Sequence, residues 1–295
     1  MAGIDLNRTS AGAADLLPRE ISTEIWAKAT EESAVMRLSR QITLPGSGIT
    51  IPIITGDASA EWVNETDEKP VSKATVGSKN LTPYKLAVIE LFSNEFRRDA
   101  AGLYNALVQR LPMALGRKFD ETIFHGTAPG SGFDVLSGAA AVVVDGTDTL
   151  GDLTAALTTV GAAGGNLSGW VLSPQAEGTI IQAKDGSGNY AFLRDARTDG
   201  AVGSLFGRPV MQTSAVYADG GAGADTIGFA GDFSSAIYGT VEGIQVAISD
   251  QATVNDGTQQ VNLWQRNMFA VRAEVEVGFV VKDGAHFVRL TGAAA

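Results

Sequence analysis

The stretch that decides the fold runs from Gly46 to Arg98 and reads GSGITIPIITGDASAEWVNETDEKPVSKATVGSKNLTPYKLAVIELFSNEFRR. Two strand-like apolar runs, Ile49–Ile54 and Leu86–Phe92, are separated by a long segment of mostly polar and small residues. A compact domain rarely contains so long a connection without using it. The segment has little apolar material of its own to bury, so we expect an extended hairpin that lies against another copy of the chain.

A long helix is predicted after the hairpin. We place it from Ala100 to His125, with Asp99 as its N-cap and Gly126 just beyond its end. Apolar residues fall every four positions along it and form one slowly turning stripe: Leu103, Leu107, Leu111, Leu115, Phe119 and Ile123. A helix of this length spans roughly 38 Å. Pro112 lies within the stripe and predicts a kink.

The residues before the hairpin are predicted to form an arm and a helix. Pro18 opens this helix, which ends around Ser33, and its apolar residues recur at helical spacing: Ile21, Ile25 and Trp26. Val35, Met36 and Leu38 are then predicted to begin a strand-like link to the hairpin.

Beyond Phe133 the pattern changes twice. Strands alternate with helices as far as Tyr238, which favours an α/β-like layer. The predicted strands are Trp170–Ser173, Val210–Thr213 and Thr226–Ala230, and the predicted helices cover Leu153–Val160 and Pro174–Ala183. From Val241 onward the pattern predicts strands, and alternate residues of Phe269–Val281 are apolar and share one face: Val271, Ala273, Val275 and Val277.

Several of these segments carry motifs that resemble the tailed-phage major capsid protein family. The matching segments are Ala60–Glu65, Lys85–Ile89, Ser93–Asp99, Leu205–Val210, Gly231–Gly239 and Val280–Val288. Each motif alone has low specificity, but their order and spacing cover nearly the whole chain.

The resemblance implies an α+β, Hong Kong 97-like capsid fold with an N-terminal arm, an extended β-hairpin loop, a long spine helix, and peripheral and axial domains. We expect the arm and its helix at 1–32, the hairpin loop at 46–85, the peripheral domain with the spine helix at 33–45, 86–132 and 241–275, and the axial domain at 133–240 and 276–295. The arm begins close to Met1, so we expect maturation without removal of a large N-terminal scaffold segment.

Composition excludes several classes of protein. A hydrophobic content of 44% allows a sizeable core, and the absence of Cys excludes disulfides and thiolate metal sites. The net charge of −11 and the lack of a basic tail argue against a nucleic-acid-binding protein. An acidic lining would instead keep enclosed DNA from adhering. No apolar run reaches the length of a membrane span, and Met1–Asp5 lack the features of a signal peptide.

Catalytic motifs are also missing from the sequence. There is no nucleophile elbow, phosphate-binding loop or dinucleotide fingerprint. We interpret His125 as a helix-terminal residue and His286 as a structural residue of a C-terminal strand. We therefore predict no catalytic, cofactor-binding or metal-ligating residues, and a protein that is not an enzyme.

The resemblance implies a protein that self-assembles, as pentamers and hexamers, into an icosahedral shell around double-stranded DNA. It also implies possible separate scaffolding, portal and decoration proteins, packaged DNA bound without sequence specificity, no membrane, synthesis in the host cytoplasm and a final place in the virion capsid. An encapsulin-like nanocompartment shell is the alternative within the same fold. A soluble hydrolase or sugar-binding module is the alternative from another class.

Contacts between subunits are predicted at the loop and the arm. An isolated Trp in a polar loop serves as a sugar platform or buries itself against a partner, and the second role is more frequent. We therefore predict Trp62 and Val63 as anchors of the loop, and Ile21, Ile25 and Trp26 as anchors of the arm.

Some members of the resembled family link a loop Lys covalently to an Asn of a neighbour, with a Glu as base. The residues that offer this chemistry are Lys69, Lys73 and Lys79 in the loop, and Asn255, Asn262, Asn267 and Glu274 near the C-terminal strands. A solvated, protonated amine is a poor nucleophile, so we expect no such bond. Denatured mature particles should migrate as one band near 30.6 kDa. A ladder of bands too large to enter the gel would contradict this prediction.

Overall fold

The computed structural model describes residues 33–56, 58–65, 68–93, 113–144, 146–181, 203–221, 223–255, 257 and 259–294. The predicted helix that opens at Pro18, the N-cap at Asp99 and the kink at Pro112 lie outside these residues. Within them, no helix is long and apolar enough to cross a membrane.

The described helices and strands form a mixed α and β structure. The helices are α1 (Ala34–Leu38), α2 (113–124), α3 (Thr149–Ala162) and α4 (Pro174–Ile181). The strands are β1 (Arg40–Thr43), β2 (Ile49–Gly56), β3 (Thr75–Leu81), β4 (Tyr84–Ser93), β5 (Ala140–Val143), β6 (Gly169–Leu172), β7 (Ser204–Leu205), β8 (Arg208–Gln212), β9 (Ala224–Gly231), β10 (Ala236–Thr240), β11 (Gln245–Ser249), β12 (Thr253–Asn255), β13 (Gln260–Asn262), β14 (Met268–Val281) and β15 (Phe287–Ala294).

Strand β14 is the centre of a five-stranded sheet. It pairs antiparallel with β4 along one edge and with β10 and β11 along the other, and β1 adds to β10 in parallel. The predicted alternation is confirmed, because Val271, Ala273 and Val275 are buried whereas Arg272 is exposed. The buried face packs against α2, whose described stripe residues Leu115, Phe119 and Ile123 are buried as well.

The hairpin returns at a different strand from the one predicted. Strand β2 pairs antiparallel with β3, from Ile49 opposite Leu81 to Gly56 opposite Thr75. The predicted return run, Leu86–Phe92, belongs to β4 and pairs with β14. That run carries Leu86 and Val88, which pack against the core on β14. The stronger apolar strand is therefore placed on the core sheet, and the more polar β3 completes the hairpin.

A second sheet of six strands has the order β5-β15-β9-β6-β8-β7. Helices α3 and α4 cover one of its faces, where Trp170 and Leu172 pack with Leu153 and Ile180. Ser173 caps α4 as predicted, accepting a hydrogen bond from the Ala176 amide at 3.2 Å. The predicted strands and helices of this part of the chain are confirmed, apart from the end of the second helix at Ala183, which lies outside the described residues.

One aromatic core joins the two sheets. The other face of the second sheet, through Val171, Phe229 and Phe287, packs in one cluster with Phe119 of α2 and Phe279 of β14. Strand β14 runs without a break across the expected domain boundary at 275/276. The domain boundaries stay a prediction.

The link before the hairpin is a helix and not the strand-like segment predicted over Val35–Leu38. Ser33 caps α1 by accepting a hydrogen bond from the Met36 amide at 3.1 Å. The Ser33 hydroxyl in turn donates to a carboxyl oxygen of Asp120 on α2 at 2.6 Å, and the Ala34 and Val35 amides donate to the same carboxyl group. Asp120 therefore holds the start of α1 from a distant part of the chain.

Burial raises the pKa of Asp120 to about 7, and the hydrogen bonds from Ser33, Ala34 and Val35 offset this only in part. The folded protein therefore retains a proton between pH 4 and 7 that the unfolded chain releases, and stability falls as the pH rises through that window. At pH 8, above this raised pKa, keeping the ionised carboxyl group buried costs on the order of 4 kcal/mol.

Asp120→Asn keeps a hydrogen-bond acceptor but has no charge to desolvate. We expect the stability of the variant to fall much less between pH 5 and pH 8 than that of the parent chain. Stability is measured as the urea midpoint of dissociated subunits. Glu121→Gln is the matched control, since Glu121 is the next residue of α2 and its carboxylate is partly exposed, in an ion pair with Lys118 at 3.3 Å. Equal pH dependence in the parent chain and in Asp120→Asn would contradict the prediction.

Candidate functional site

The hairpin of β2 and β3 projects from the five-stranded sheet with one face inward and one outward. Ile49 and Ile51 point toward the body and join a small apolar cluster around Leu44, Leu81 and Val280. On the outward face Ile54 and Val76 are a cross-strand pair with exposed fractions of 58% and 69%.

The base of the hairpin sits directly on β14. A side chain at Gly278 would come within 2.7 Å of the Thr82 carbonyl oxygen and 2.9 Å of Leu81 Cδ1. Leu81 is fully buried, and the Thr82 amide donates to the Gly132 carbonyl at 3.0 Å. Glycine at position 278 is thus required for the close approach of the hairpin base to the sheet.

A polar tie reinforces this attachment. Lys79 of β3 forms an ion pair of 2.8 Å with Asp134, whose same oxygen accepts a hydrogen bond from the Val281 amide at 3.0 Å. The Asp134 amide donates to the Phe279 carbonyl at 2.9 Å. Asp134 therefore connects the hairpin, the segment after α2 and the end of β14.

The tip of the hairpin exposes large apolar side chains. Trp62 is fully exposed, and the adjacent Val63 and the more distant Val71 of the same loop are exposed as well. The Ser59 amide donates to the Ser72 hydroxyl at 2.7 Å, which connects the two sides of the tip loop. These exposed apolar side chains make the tip a candidate site of contact with another molecule.

A groove of about 350 Å³ opens where the hairpin leaves the sheet. We call it the base groove and define it by six residues: apolar Ile51 and Ile53 of β2, Ile237 of β10 and Val280 of β14, with Arg40 and Lys282 exposed at its rim. It combines an apolar interior with a cationic border, in contrast to the acidic composition of the whole chain.

A second, smaller cavity of about 180 Å³ is bordered by Lys85, Glu242, Glu274 and Glu276. Lys85 pairs with Glu276 at 3.2 Å, and Gln245 donates to Glu242 at 2.6 Å. No group of three His, Asp or Glu side chains in the described ranges is arranged to hold a metal ion.

The two histidines occupy structural positions. His125 directly follows α2, and its Nε2 donates to the Ala215 carbonyl at 2.9 Å. His286 lies in a 3-10 helix, Gly284–His286, before β15 and not within a strand as predicted. Asp283 caps that short helix by accepting from the Ala285 amide, and this local hydrogen bond favours the turn over an extended strand.

The residues weighed for a covalent link occupy varied settings. Lys79 lies in β3 and is paired with Asp134, whereas Lys69 and Lys73 are exposed in the tip loop. Asn255 and Asn262 use their side-chain oxygens to accept from the Gly257 and Gln265 amides. Glu274 lies within 3.5 Å of Arg272. The absence of a covalent link stays a prediction.

The predicted contact residues have different outcomes. Trp62 and Val63 are exposed at the hairpin tip, while Ile21, Ile25 and Trp26 lie outside the described residues. Sequence reasoning missed the base groove. Its residues come from β1, β2, β10 and the end of β14, so no local spacing could have indicated it.

The described residues thus combine a two-sheet body with an extended hairpin whose apolar tip is exposed. The chain belongs to the phage capsid family, whose profile matches residues 13–292.

Relatives and solved structures agree with this assignment. The probable major capsid protein of Mycobacterium phage L5 is 32% identical over 290 residues, covering 93% of this chain and 89% of the relative. The corresponding protein of Mycobacterium phage D29 is 31% identical over 287 residues, covering 93% and 89%. A solved structure from Gordonia phage Cozz has a TM-score of 0.71 at 27% identity, covering 89% and 87% of the two chains. The expected α+β, Hong Kong 97-like capsid fold is confirmed.

Asp134→Ala should destabilise the subunit by about 1–3 kcal/mol, because the Val281 amide loses its acceptor at a half-buried position. Lys79→Met should cost less than about 1 kcal/mol, because it removes only a partly exposed ion pair. Urea unfolding of dissociated subunits measures both, with Lys85→Met as the control for an exposed pair. Equal losses of unfolding free energy in Asp134→Ala and Lys79→Met would show that Asp134 stabilises the subunit through the ion pair and not through the backbone hydrogen bond.

Proposed function

We infer that this protein is the major capsid protein of a tailed phage and that many copies of it form the phage shell. The observation that carries this inference is the family match over residues 13–292, together with major capsid relatives that align along nearly the full chain. The hairpin supports the same function, because its exposed apolar tip needs a partner to cover it.

The finer organisation of the shell belongs to the same proposal. The copies form pentamers and hexamers in an icosahedral shell that encloses double-stranded DNA. Each contact between copies can be weak, because closure by symmetry and the number of contacts per subunit make the assembly stable. The net charge of −11 supports an inner surface that holds DNA without binding its sequence.

The protein acts as a structural component and not as an enzyme, and it is made in the host cytoplasm before it enters the virion. In support, the chain belongs to the phage capsid family, and its relatives in Mycobacterium phages L5 and D29 are named as probable major capsid proteins. Portal, scaffolding and decoration proteins are further partners of such a shell.

Five residues are proposed as contacts between copies. Trp62 and Val63 act at the hairpin tip, where both are exposed. Ile21, Ile25 and Trp26 act in the N-terminal segment, on the basis of their helical spacing. The nanocompartment alternative has less support, because the capsid relatives compared above are named as phage proteins.

The purified protein should form closed shells, alone or with a separate scaffolding protein. Size-exclusion chromatography should show material far larger than 30.6 kDa, and negative-stain microscopy should show hollow particles of uniform size. A chain that stays monomeric under every assembly condition, including co-expression with a scaffolding protein, would contradict the proposed function.

A further inference from the structure

The base groove has the size and lining to receive one large apolar side chain. Its volume of about 350 Å³ lies at the lower end of ligand-binding pockets, roughly 300–1,000 Å³. Ile51 and Ile53 of β2, Ile237 of β10 and Val280 of β14 contribute the apolar part of its lining. An aromatic side chain that fills such a pocket gains the burial that makes Trp frequent among interface hot spots.

The rim of the groove selects for an acidic partner. Lys79 faces the groove but is neutralised by Asp134. Arg40 and Lys282 are exposed, and the described acidic side chains include no ion-pair partner for either of them. Two cations beside an apolar groove therefore favour an apolar side chain flanked by carboxylates.

The hairpin tip offers that combination. Trp62 is fully exposed, Glu61 precedes it and Glu65 follows it by three residues, and both glutamates are exposed. None of the described residues covers Trp62, and we therefore take the tip that occupies the groove from another copy.

The distance between the two cations at the groove rim is similar to the distance between the two glutamates of the tip. Arg40 lies opposite Ile237, and Ile237 lies opposite Val280, which makes three neighbouring strands in register. With strands about 4.8 Å apart and about 3.3 Å per residue, the Cα atoms of Arg40 and Lys282 are roughly 12 Å apart. The Cα atoms of Glu61 and Glu65 are at most roughly 14 Å apart, so one carboxylate can reach Arg40 while the other reaches Lys282.

We propose that the hairpin tip of one copy docks into the base groove of a second copy, with Trp62 in the groove and Glu61 and Glu65 against Arg40 and Lys282. This interface rests on the proposed shell function and specifies which surface of the neighbour receives the hairpin. The electrostatic part of the contact orients the tip, and the burial of Trp62 supplies most of its affinity.

Engineered disulfides test the contact in the assembled shell, and the lack of native Cys makes every cross-link interpretable. The variant Val63→Cys with Ser234→Cys places one thiol beside Trp62 and the other in the lining of the groove, and it leaves Trp62 and the four charged residues of the proposed interface unchanged. After mild oxidation, a non-reducing gel should show dimers and larger covalent oligomers, because a docked tip holds the thiol at position 63 close to the groove lining. Thiols held this close can sample the Cα separations that a disulfide requires, roughly 4.4–6.8 Å.

The matched control is Val63→Cys with Val143→Cys, since Val143 is similarly exposed but lies on β5 of the second sheet. We expect at least fivefold less cross-linking in the control. Adding Trp62→Ala to the groove pair should lower its cross-linking several-fold. Shells in which the groove pair cross-links no better than the control would overturn the proposed contact and leave the shell function intact, whereas failure of the parent chain to form any shell would overturn both.

The N-terminal segment is the other occupant that the chain offers. A variant with Ile25→Cys and Ser234→Cys tests it, and efficient cross-linking there with none from position 63 would overturn the proposal.

Charge reversal gives an independent readout. Arg40→Glu with Lys282→Glu should raise the protein concentration needed for assembly at least about tenfold, and adding Glu61→Lys with Glu65→Lys should restore much of the loss. Failure of the second pair to restore assembly would contradict the pairing of these charges.

Trp62→Ala in the parent chain should also raise the protein concentration needed for assembly at least about tenfold. Trp264→Ala is its control, because Trp264 is 76% exposed and lies between β13 and β14, outside the hairpin. Equal effects of the two substitutions would show that general loss of apolar surface, and not docking of Trp62, weakens assembly.

Discussion

The close seating of the hairpin base on β14 is the constraint on which the rest of the structure depends. Gly278 allows the Leu81–Thr82 backbone to touch the strand, and Asp134 ties Lys79 to the Val281 amide. Strand β14 is also paired along both of its edges. The hairpin is therefore attached to the most extensively bonded strand of the five-stranded sheet.

This attachment explains how a segment with little apolar content can remain extended. A two-stranded hairpin alone is at best marginally stable in water. Here one end is held by a buried cluster around Leu81, and the exposed Ile54–Val76 pair and Trp62 lie farther out. The same geometry that stabilises the base thus leaves the tip exposed, where the proposed contact with another copy would cover it.

Charge is distributed unevenly over the molecule, and this distribution is compatible with contacts between copies in a shell. The chain is acidic overall, yet the base groove is bordered by Arg40 and Lys282. An acidic tip on a basic groove gives contacts between copies a preferred register, whereas the general negative charge disfavours unspecific association. Asp120 adds a different electrostatic element, because its burial couples the α1–α2 joint to pH.

The sequence by itself determined the elements whose signal is local. The alternation in β14, the helix around Leu153–Val160 and the Ser173 cap were predictable, because strand and helix periodicities and capping act over a few residues. The motif order also indicated the capsid family and its fold, which the family match confirms.

Only the tertiary structure decided which strand completes the hairpin and where the groove lies. Thr75–Leu81 and Leu86–Phe92 both have β character, and the choice between them depends on which run buries its apolar side chains on β14. Likewise, α1 forms where a strand was predicted, because Ser33 is held by Asp120, 87 residues away. Pairing, burial and long-range capping are properties of the folded chain, and no short window of sequence contains them.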